Sequence, residues 1–135
     1  MSMQNRPVEV IEARIRTKIP QFVWQVIRKD ESVLAAFGVS LFDHHRKHDM
    51  RHDRVVLTDE RVIYYKTALI HKELGQMPYS GITEVHYNRG MIHGKVILNG
   101  ANAGLTLRGI GNDDATFAER IISGIISGRR YVAAP

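Results

Sequence analysis

The stretch that decides the fold reads Arg54-Val-Val-Leu-Thr-Asp-Glu-Arg-Val-Ile-Tyr-Tyr65. Two runs of β-branched and aromatic residues flank Thr58-Asp-Glu-Arg61, a pattern typical of two strands joined by a tight turn. Asp59 suits that turn because its short carboxylate accepts hydrogen bonds from nearby backbone N–H groups. The stretch therefore predicts an antiparallel hairpin.

Similar patterns surround this hairpin. Asn99-Gly100 is among the strongest hairpin signals that a sequence carries, and Asn88-Arg-Gly90 is also typical of a turn. Further strands are predicted over residues 32–42, 70–77, 82–87, 94–98 and 105–110. Because the strands come first and a single helix comes last, the predicted class is mainly β (α+β), a small barrel or sandwich closed by its C-terminal helix.

That last helix is amphipathic. Asn112, Asp113 or Asp114 can cap its start, and Gly128 suits the position just past its end. One face carries its apolar residues: Phe117, Ala118, Ile121, Ile122, Ile125 and Ile126. Residues 129–135 are predicted to be a flexible tail.

Residues 1–29 are predicted to form a helical extension. The apolar residues between Pro7 and Pro20 recur at helical spacing, and a second apolar stripe follows Pro20. These positions are Val8, Ile11, Ile15 and Ile19, then Phe22, Val23, Val26 and Ile27. Trp24 points away from the second stripe, so it either packs on a neighbouring helix, which we favour, or stays exposed as a contact for a partner.

Composition narrows the class of protein. The 135 residues suffice for one domain, and 44% hydrophobic and 24% charged residues are ordinary for a soluble globular protein. The absence of cysteine excludes disulfides and thiolate metal sites, and the N-terminus does not resemble a signal peptide, so we expect a cytoplasmic location. Nineteen Lys and Arg against fourteen Asp and Glu leave a net charge of +5, which favours anionic partners.

Three segments of the strand region resemble a known family, and the first two carry its motifs, a Leu-Thr-Asp-x-Arg hairpin and a Pro-Tyr-x-x-Ile-x-x-Val strand entry. The segments are Val55-Val-Leu-Thr-Asp-Glu-Arg-Val-Ile-Tyr64, Met77-Pro-Tyr-Ser-Gly-Ile-Thr-Glu-Val85 and Gly94-Lys-Val-Ile-Leu98. They are similar to bacterial pleckstrin-homology (PH-like) domains of the YokE-like type. The resemblance covers about residues 30–128, the predicted PH-like domain. It implies about seven antiparallel strands in two nearly orthogonal sheets, capped at one end by the helix. It implies little about activity, because PH-like folds host lipid, peptide and protein ligands.

The most polar stretch runs from Asp43 to Arg54, and it is predicted to be a loop or a frayed hairpin end. Its basic residues are the candidate contacts for an anion or a partner: His44, His45, Arg46, Lys47, His48, Arg51, His52 and Arg54. Imidazoles beside Asp43, Asp49 and Asp53 also suit a metal, but the further ligands of a metal-dependent hydrolase are missing, so no metal, cofactor or catalytic residue is predicted. Nucleic acid is a less favoured partner, because the tyrosines are better explained by packing.

These observations predict a binding domain without catalysis. Neither a nucleophile elbow nor a glycine-rich phosphate loop accompanies the Ser, His and Asp residues. PH-like barrels leave strand edges that accept a peptide by strand addition, so we expect a protein partner or self-association. The alternative is peripheral binding to an anionic membrane or another polyanion through residues 43–54.

Overall fold

The computed structural model describes residues 7–43, 46–66, 74–101 and 103–135, and for residues 40–43, 46–52 and 66 it describes the backbone alone. Within these ranges the elements follow in this order: β1 (Val8–Ile11), β2 (Arg14–Ile15), α1 (Gln21–Trp24), β3 (Val33–Asp43), β4 (Arg46–Thr58), β5 (Arg61–Lys66), β6 (Leu74–Pro78), a 3-10 helix (Tyr79–Gly81), β7 (Glu84–Asn88), β8 (His93–Asn99), β9 (Gly104–Gly111), α2 (Asn112–Ile126) and β10 (Arg130–Ala133). In the part of the chain so described, no helix has the length and apolar character needed to cross a membrane.

Seven antiparallel strands form the main sheet, in the order β6-β5-β4-β3-β9-β8-β7. β3 joins its two halves, because it pairs with β4 along most of its length and with β9 from Ser40 to Asp43. The predicted mainly β fold of about seven strands with a C-terminal helix is confirmed. The barrel is open, since no pairing between β6 and β7 is seen among the described residues.

The strands bury apolar residues on both faces. Along β4, Val55 and Leu57 point into the main core, whereas Val56 points to the opposite face. α2 covers the main core, and the predicted apolar face of this helix is confirmed, with Phe117 and Ile121 buried. The opposite face of β3, β4 and β5 needs a second cover, and the N-terminal segment supplies it.

The predicted helix between Pro7 and Pro20 is wrong, because this segment forms β1 and β2. β1 pairs in parallel with β10, and β2 pairs in parallel with β3. The helical spacing of the four apolar residues led to the wrong prediction, because they do not share one buried face: Ile11 and Ile19 are buried, while Val8 and Ile15 are exposed. Their β-branched side chains favour extended backbone once partner strands are available. After Pro20 the predicted helix exists, but it is a single turn.

The flexible tail predicted for residues 129–135 is also wrong over most of its length. Residues Arg130–Ala133 form β10, and Tyr131 is buried in the main core. The chain reaches this position because Gly128, at φ +99°, ends α2 as predicted. The N–H of Gly128 binds the carbonyl of Ile125, and that of Arg129 binds the carbonyl of Gly124, which is a Schellman motif.

The start of α2 differs from the prediction. The helix begins at Asn112, so its N-cap position is Gly111, which has no side chain to make a capping bond. Asn112 instead binds the backbone of Gly90 in the β7–β8 turn. The sequence identified the polar residues at this end, but the tertiary partners of Asn112 decide what its side chain does.

The polar stretch from Asp43 to Arg54 lies mostly in strands. β3 ends at Asp43, β4 begins at Arg46, and these two residues pair with each other. The predicted loop is therefore wrong for residues 46–53, although the stretch does contain the end of a hairpin. Backbone pairing with β3 holds this extended conformation whatever the side chains are.

Candidate functional site

The candidate site residues fall into three groups. Two of them, His44 and His45, lie outside the described residues. Five others lie in β4 at positions where only the backbone is described: Arg46, Lys47, His48, Arg51 and His52. Binding of an anion or a partner by this stretch therefore stays a prediction. Arg54 and Trp24 are described completely.

Arg54 lies on the outer face of β4. Its Nε donates to Oγ1 of Thr17 at 3.1 Å, and its Nη1 donates to the carbonyl of Asp53 at 2.9 Å. It lies beside Gly38 of β3, where the Cβ atom of a larger residue would be 3.6 Å from Nη1. These contacts hold the guanidinium group between β4 and the N-terminal segment.

Trp24 and this arginine line the same shallow groove. Trp24 is 46% exposed, so the favoured interpretation that it packs inside the fold is wrong. The groove has a volume of about 670 Å³ and is lined by Thr17, Lys18, Ile19, Pro20, Gln21, Trp24 and Arg54; we call it the Trp24 groove. The two described candidates, distant in sequence, thus share one surface.

The charged residues that are described in the Trp24 groove are all positive. Among the described residues that line it, Lys18 and Arg54 are the two charged ones, and both are cations. An aromatic ring, a proline and two cations on one concave surface favour a ligand that combines an apolar group with a carboxylate or a phosphate.

The groove has a packed floor. Ile19 and Val23 join Ala36, Val56, Ile63 and Tyr65 in a second hydrophobic cluster on the outer face of β3, β4 and β5. Phe22 packs edge-on against Tyr65, with ring centroids 5.6 Å apart. Burial raises the pKa of the Tyr65 hydroxyl, although nearby Arg54 acts in the opposite direction. The segment that carries Trp24 is therefore an integral layer of the fold.

Glu31, which sequence reasoning missed, holds this layer in place. Its buried carboxylate accepts from Nη2 and Nε of Arg61 at 2.8 and 2.9 Å, and from Oγ1 of Thr58 at 2.5 Å. Arg61 also donates to the carbonyl of Val26, just after α1. An acid that follows Asp30 between a helix and a strand gives no sequence signal of burial, so only the position of Arg61 reveals its role.

The two family motifs meet at this cluster. Thr58 accepts from the backbone N–H groups of Glu60 and Arg61 and so closes the β4–β5 turn. Asp59 accepts from the backbone N–H of Ser32 at 2.7 Å, so its carboxylate binds a backbone group as predicted, but one that lies outside the turn. Tyr79 of the second motif donates to the carbonyl of Thr58 at 2.7 Å. The motifs that carry the resemblance therefore stabilise the fold and leave the binding surface to other residues.

A second basic surface lies between β2 and α2. Arg14 and Arg120 lie over the ring of Phe117, at 4.5 and 5.4 Å from its centroid. Asp114 pairs with Arg14 at 3.1 Å and with Arg16 at 3.3 Å. Because these arginines already have an aromatic or acidic partner, their contacts are explained by attachment of β2 to α2.

Comparison with known proteins agrees with this architecture. Among solved structures, a Vps36 N-terminal PH domain matches with a TM-score of 0.59 and 21% sequence identity, over 76% of this chain and 86% of that one. At that identity the likeness concerns the fold. No curated protein matches by sequence. The family model described as "Bacterial PH domain" matches residues 27–123, most of the chain. The YokE-like subtype stays a prediction, but the open seven-stranded sheet, the capping helix and this match agree: the chain belongs to the bacterial PH domain family.

Proposed function

We propose that this domain is a non-catalytic binding module whose Trp24 groove takes an extended, acidic segment of a partner protein. The observation that carries the proposal is the position of Trp24, nearly half exposed beside two cations on a concave surface. PH-like folds host protein and lipid ligands on one scaffold, so the fold allows this role without specifying it.

The exposed indole of Trp24 is the largest apolar group in the groove. Tryptophan and arginine are among the residues that most often dominate the energy of a protein interface. Tryptophan does so because it buries a large, rigid ring with few rotatable bonds. The hydrogen bond from Arg54 to Thr17 and the packed floor beneath Ile19 hold the groove in its shape. A preformed groove reduces the entropy lost on binding.

The two cations of the groove determine the charge of the ligand that it attracts. Lys18 and Arg54 attract a carboxylate, and the proline and indole beside them offer an apolar surface for a neighbouring side chain. An acidic segment with one large apolar residue fits both requirements. The open edges of β6 and β7 are a second place where a peptide could be added, but the described residues of neither edge combine an exposed tryptophan with a concave cationic surface.

We expect Trp24→Ala to weaken peptide binding roughly thirtyfold, which corresponds to about 2 kcal/mol. The measurement is selection of random displayed peptides on the immobilised full chain, followed by titration of the enriched peptides. Enriched peptides should contain Asp or Glu near a large apolar residue. Lys18→Gln should weaken their binding and reduce its dependence on salt.

Val26→Ala is the matched control, because Val26 is also exposed, lies two residues after Trp24 and does not line the groove. It should bind the peptides as the wild type does. Equal affinity of the enriched peptides for Trp24→Ala would contradict the proposal. A wild-type oligomer that Trp24→Ala dissociates would make a second copy of this chain the occupant instead.

A further inference from the structure

The turn between β7 and β8 projects two large apolar side chains. Met91 and Ile92 are 102% and 76% exposed, the highest values among the exposed large hydrophobic residues of the described chain. Single exposed apolar residues are common on protein surfaces. Two in succession, at the tip of a hairpin and outside any packing, form an apolar projection that we call the Met91 tip.

The base of this tip is held firmly. The side-chain oxygen of Asn112 accepts from the N–H of Gly90 at 3.2 Å and from the hydroxyl of Tyr87 at 2.9 Å. The amide nitrogen of Asn112 donates to the carbonyl of Gly90 at 2.9 Å. The start of α2 therefore fixes the turn, and the two apolar side chains are held away from the domain instead of folding back onto it.

Positive charge surrounds the tip. A cleft of about 430 Å³ beside it is lined by eight described residues, of which three are Arg or Lys and none is acidic: Asn88, Arg89, Gly90, His93, Gly94, Lys95, Arg108 and Gly109. Lys95 and Arg108 are neighbours across β8 and β9. The acids that follow Asn112 oppose this charge only in part, because Asp114 is paired with Arg14 and Arg16, which leaves the exposed Asp113.

The tip is separate from the polar hairpin between β3 and β4. Asp43, at the end of β3, pairs with Leu105 near the start of β9. His93, at the start of β8, pairs with Gly111 at the end of β9. The Met91 tip and the hairpin end near residues 43–46 therefore lie at opposite ends of β9.

We propose that the Met91 tip is an anchor for an anionic lipid membrane. Met91 and Ile92 enter the interfacial region of the bilayer, and Arg89 and Lys95 contact the lipid phosphates around them. A convex apolar projection ringed by cations suits a deformable surface with an apolar interior and an anionic face. A folded protein partner would need a matching pocket for both side chains.

The test is sedimentation of the full chain with phosphatidylcholine vesicles, with and without phosphatidylserine. The wild type should bind the phosphatidylserine vesicles preferentially, and added salt should weaken that binding. Met91→Ser combined with Ile92→Ser should weaken binding at least about tenfold, because the inserted apolar area is lost. Arg89→Gln combined with Lys95→Gln should remove the preference for phosphatidylserine.

Val8→Ser combined with Val10→Ser is the matched control, since both residues are exposed and lie on β1. This variant should bind as the wild type does. Ile92→Trp in a Trp24→Phe background gives a single indole, whose emission should shift to shorter wavelength on insertion. Vesicle binding that survives loss of Met91 and Ile92, or an indole that stays in water, would overturn the proposal. So would an oligomer that the double serine variant dissociates, since a second copy would then cover the tip.

Discussion

Glu31→Ala should lower the free energy of unfolding by about 3–5 kcal/mol, which is the usual result of removing one partner from a buried ion pair. The substitution leaves Arg61 largely buried without its carboxylate, and it removes the acceptor of the Thr58 hydroxyl. It also removes the group that orients Arg61, and so weakens the hydrogen bond that Arg61 donates to the carbonyl of Val26. Urea denaturation followed by circular dichroism measures the change.

Glu60→Ala is the control for this substitution. Glu60 is the neighbouring acid in the turn and pairs with Arg28, whose side chain is exposed, so its loss should cost less than about 1 kcal/mol. Glu31→Gln keeps the shape and some of the hydrogen bonds and should fall between the two. Equal losses for Glu31→Ala and Glu60→Ala would show that the Glu31–Arg61 pair does not hold the fold.

The Glu31–Arg61 pair should also make the free energy of unfolding depend on pH in the acidic range. Burial raises the pKa of Glu31, but hydrogen bonds from Arg61 and Thr58 outweigh burial and hold this pKa below its ordinary value of 4.5. The folded state then binds the proton more weakly than the unfolded state, so the stabilisation is complete above pH 4.5 and is lost as the pH falls through the folded pKa. The difference in unfolding free energy between wild type and Glu31→Gln should shrink in that range. Burial raises the pKa of Asp59, and the charge of Glu31 raises it further, so Asp59 acts in the opposite sense and its contribution cancels only in part between the two proteins.

Tyr131→Ala should cost about 3–5 kcal/mol of unfolding free energy, as large aromatic-to-alanine changes do in a core. Tyr131 is 2% exposed and belongs to the main core, although it lies in a segment whose sequence suggests a loose tail. It packs against α2 so closely that a Cβ atom at Gly124 would lie 2.1 Å from its hydroxyl oxygen. Thermal unfolding measures the loss.

Arg130→Ala and Tyr131→Phe are the controls for this substitution, and both should have a smaller effect. Arg130 is exposed on the same strand, so its replacement should change stability by less than about 0.5 kcal/mol. Tyr131→Phe keeps the ring and should retain most of the stability. If Tyr131→Ala unfolds at the temperature of the wild type, β10 is not part of the folded core.

The packing of the N-terminal segment decides how binding can be tested. Deletion of residues 1–29 would remove Ile19 and Val23 and uncover the outer face of β4 and β5, so it would change folding and binding together. Substitutions at the exposed Trp24 and at the Met91 tip avoid this problem, because these side chains contribute little to either hydrophobic cluster. Such variants separate the two proposed surfaces from each other and from the fold.

Local sequence patterns predicted much of this protein. The hairpin at Thr58–Arg61, the apolar face of α2 and the stop at Gly128 all depend on residues close together in the chain, so turn chemistry and periodicity suffice to predict them. The family motifs could be recognised for the same reason. They turn out to stabilise the core, which is why recognising the family did not reveal a binding site.

The errors arose where a distant partner decides the local structure. Val8–Ile11 and Arg130–Ala133 form strands because each is the parallel hydrogen-bonding partner of the other. No sequence pattern within either segment indicates that pairing. Glu31 is buried because Arg61 reaches it, and Trp24 is exposed because the chain turns its neighbours Ile19 and Val23 onto the sheet. The sequence by itself determined the fold class, the central hairpin and the final helix. Only the tertiary structure decided which charged and aromatic side chains face water, because burial depends on what the rest of the chain brings alongside.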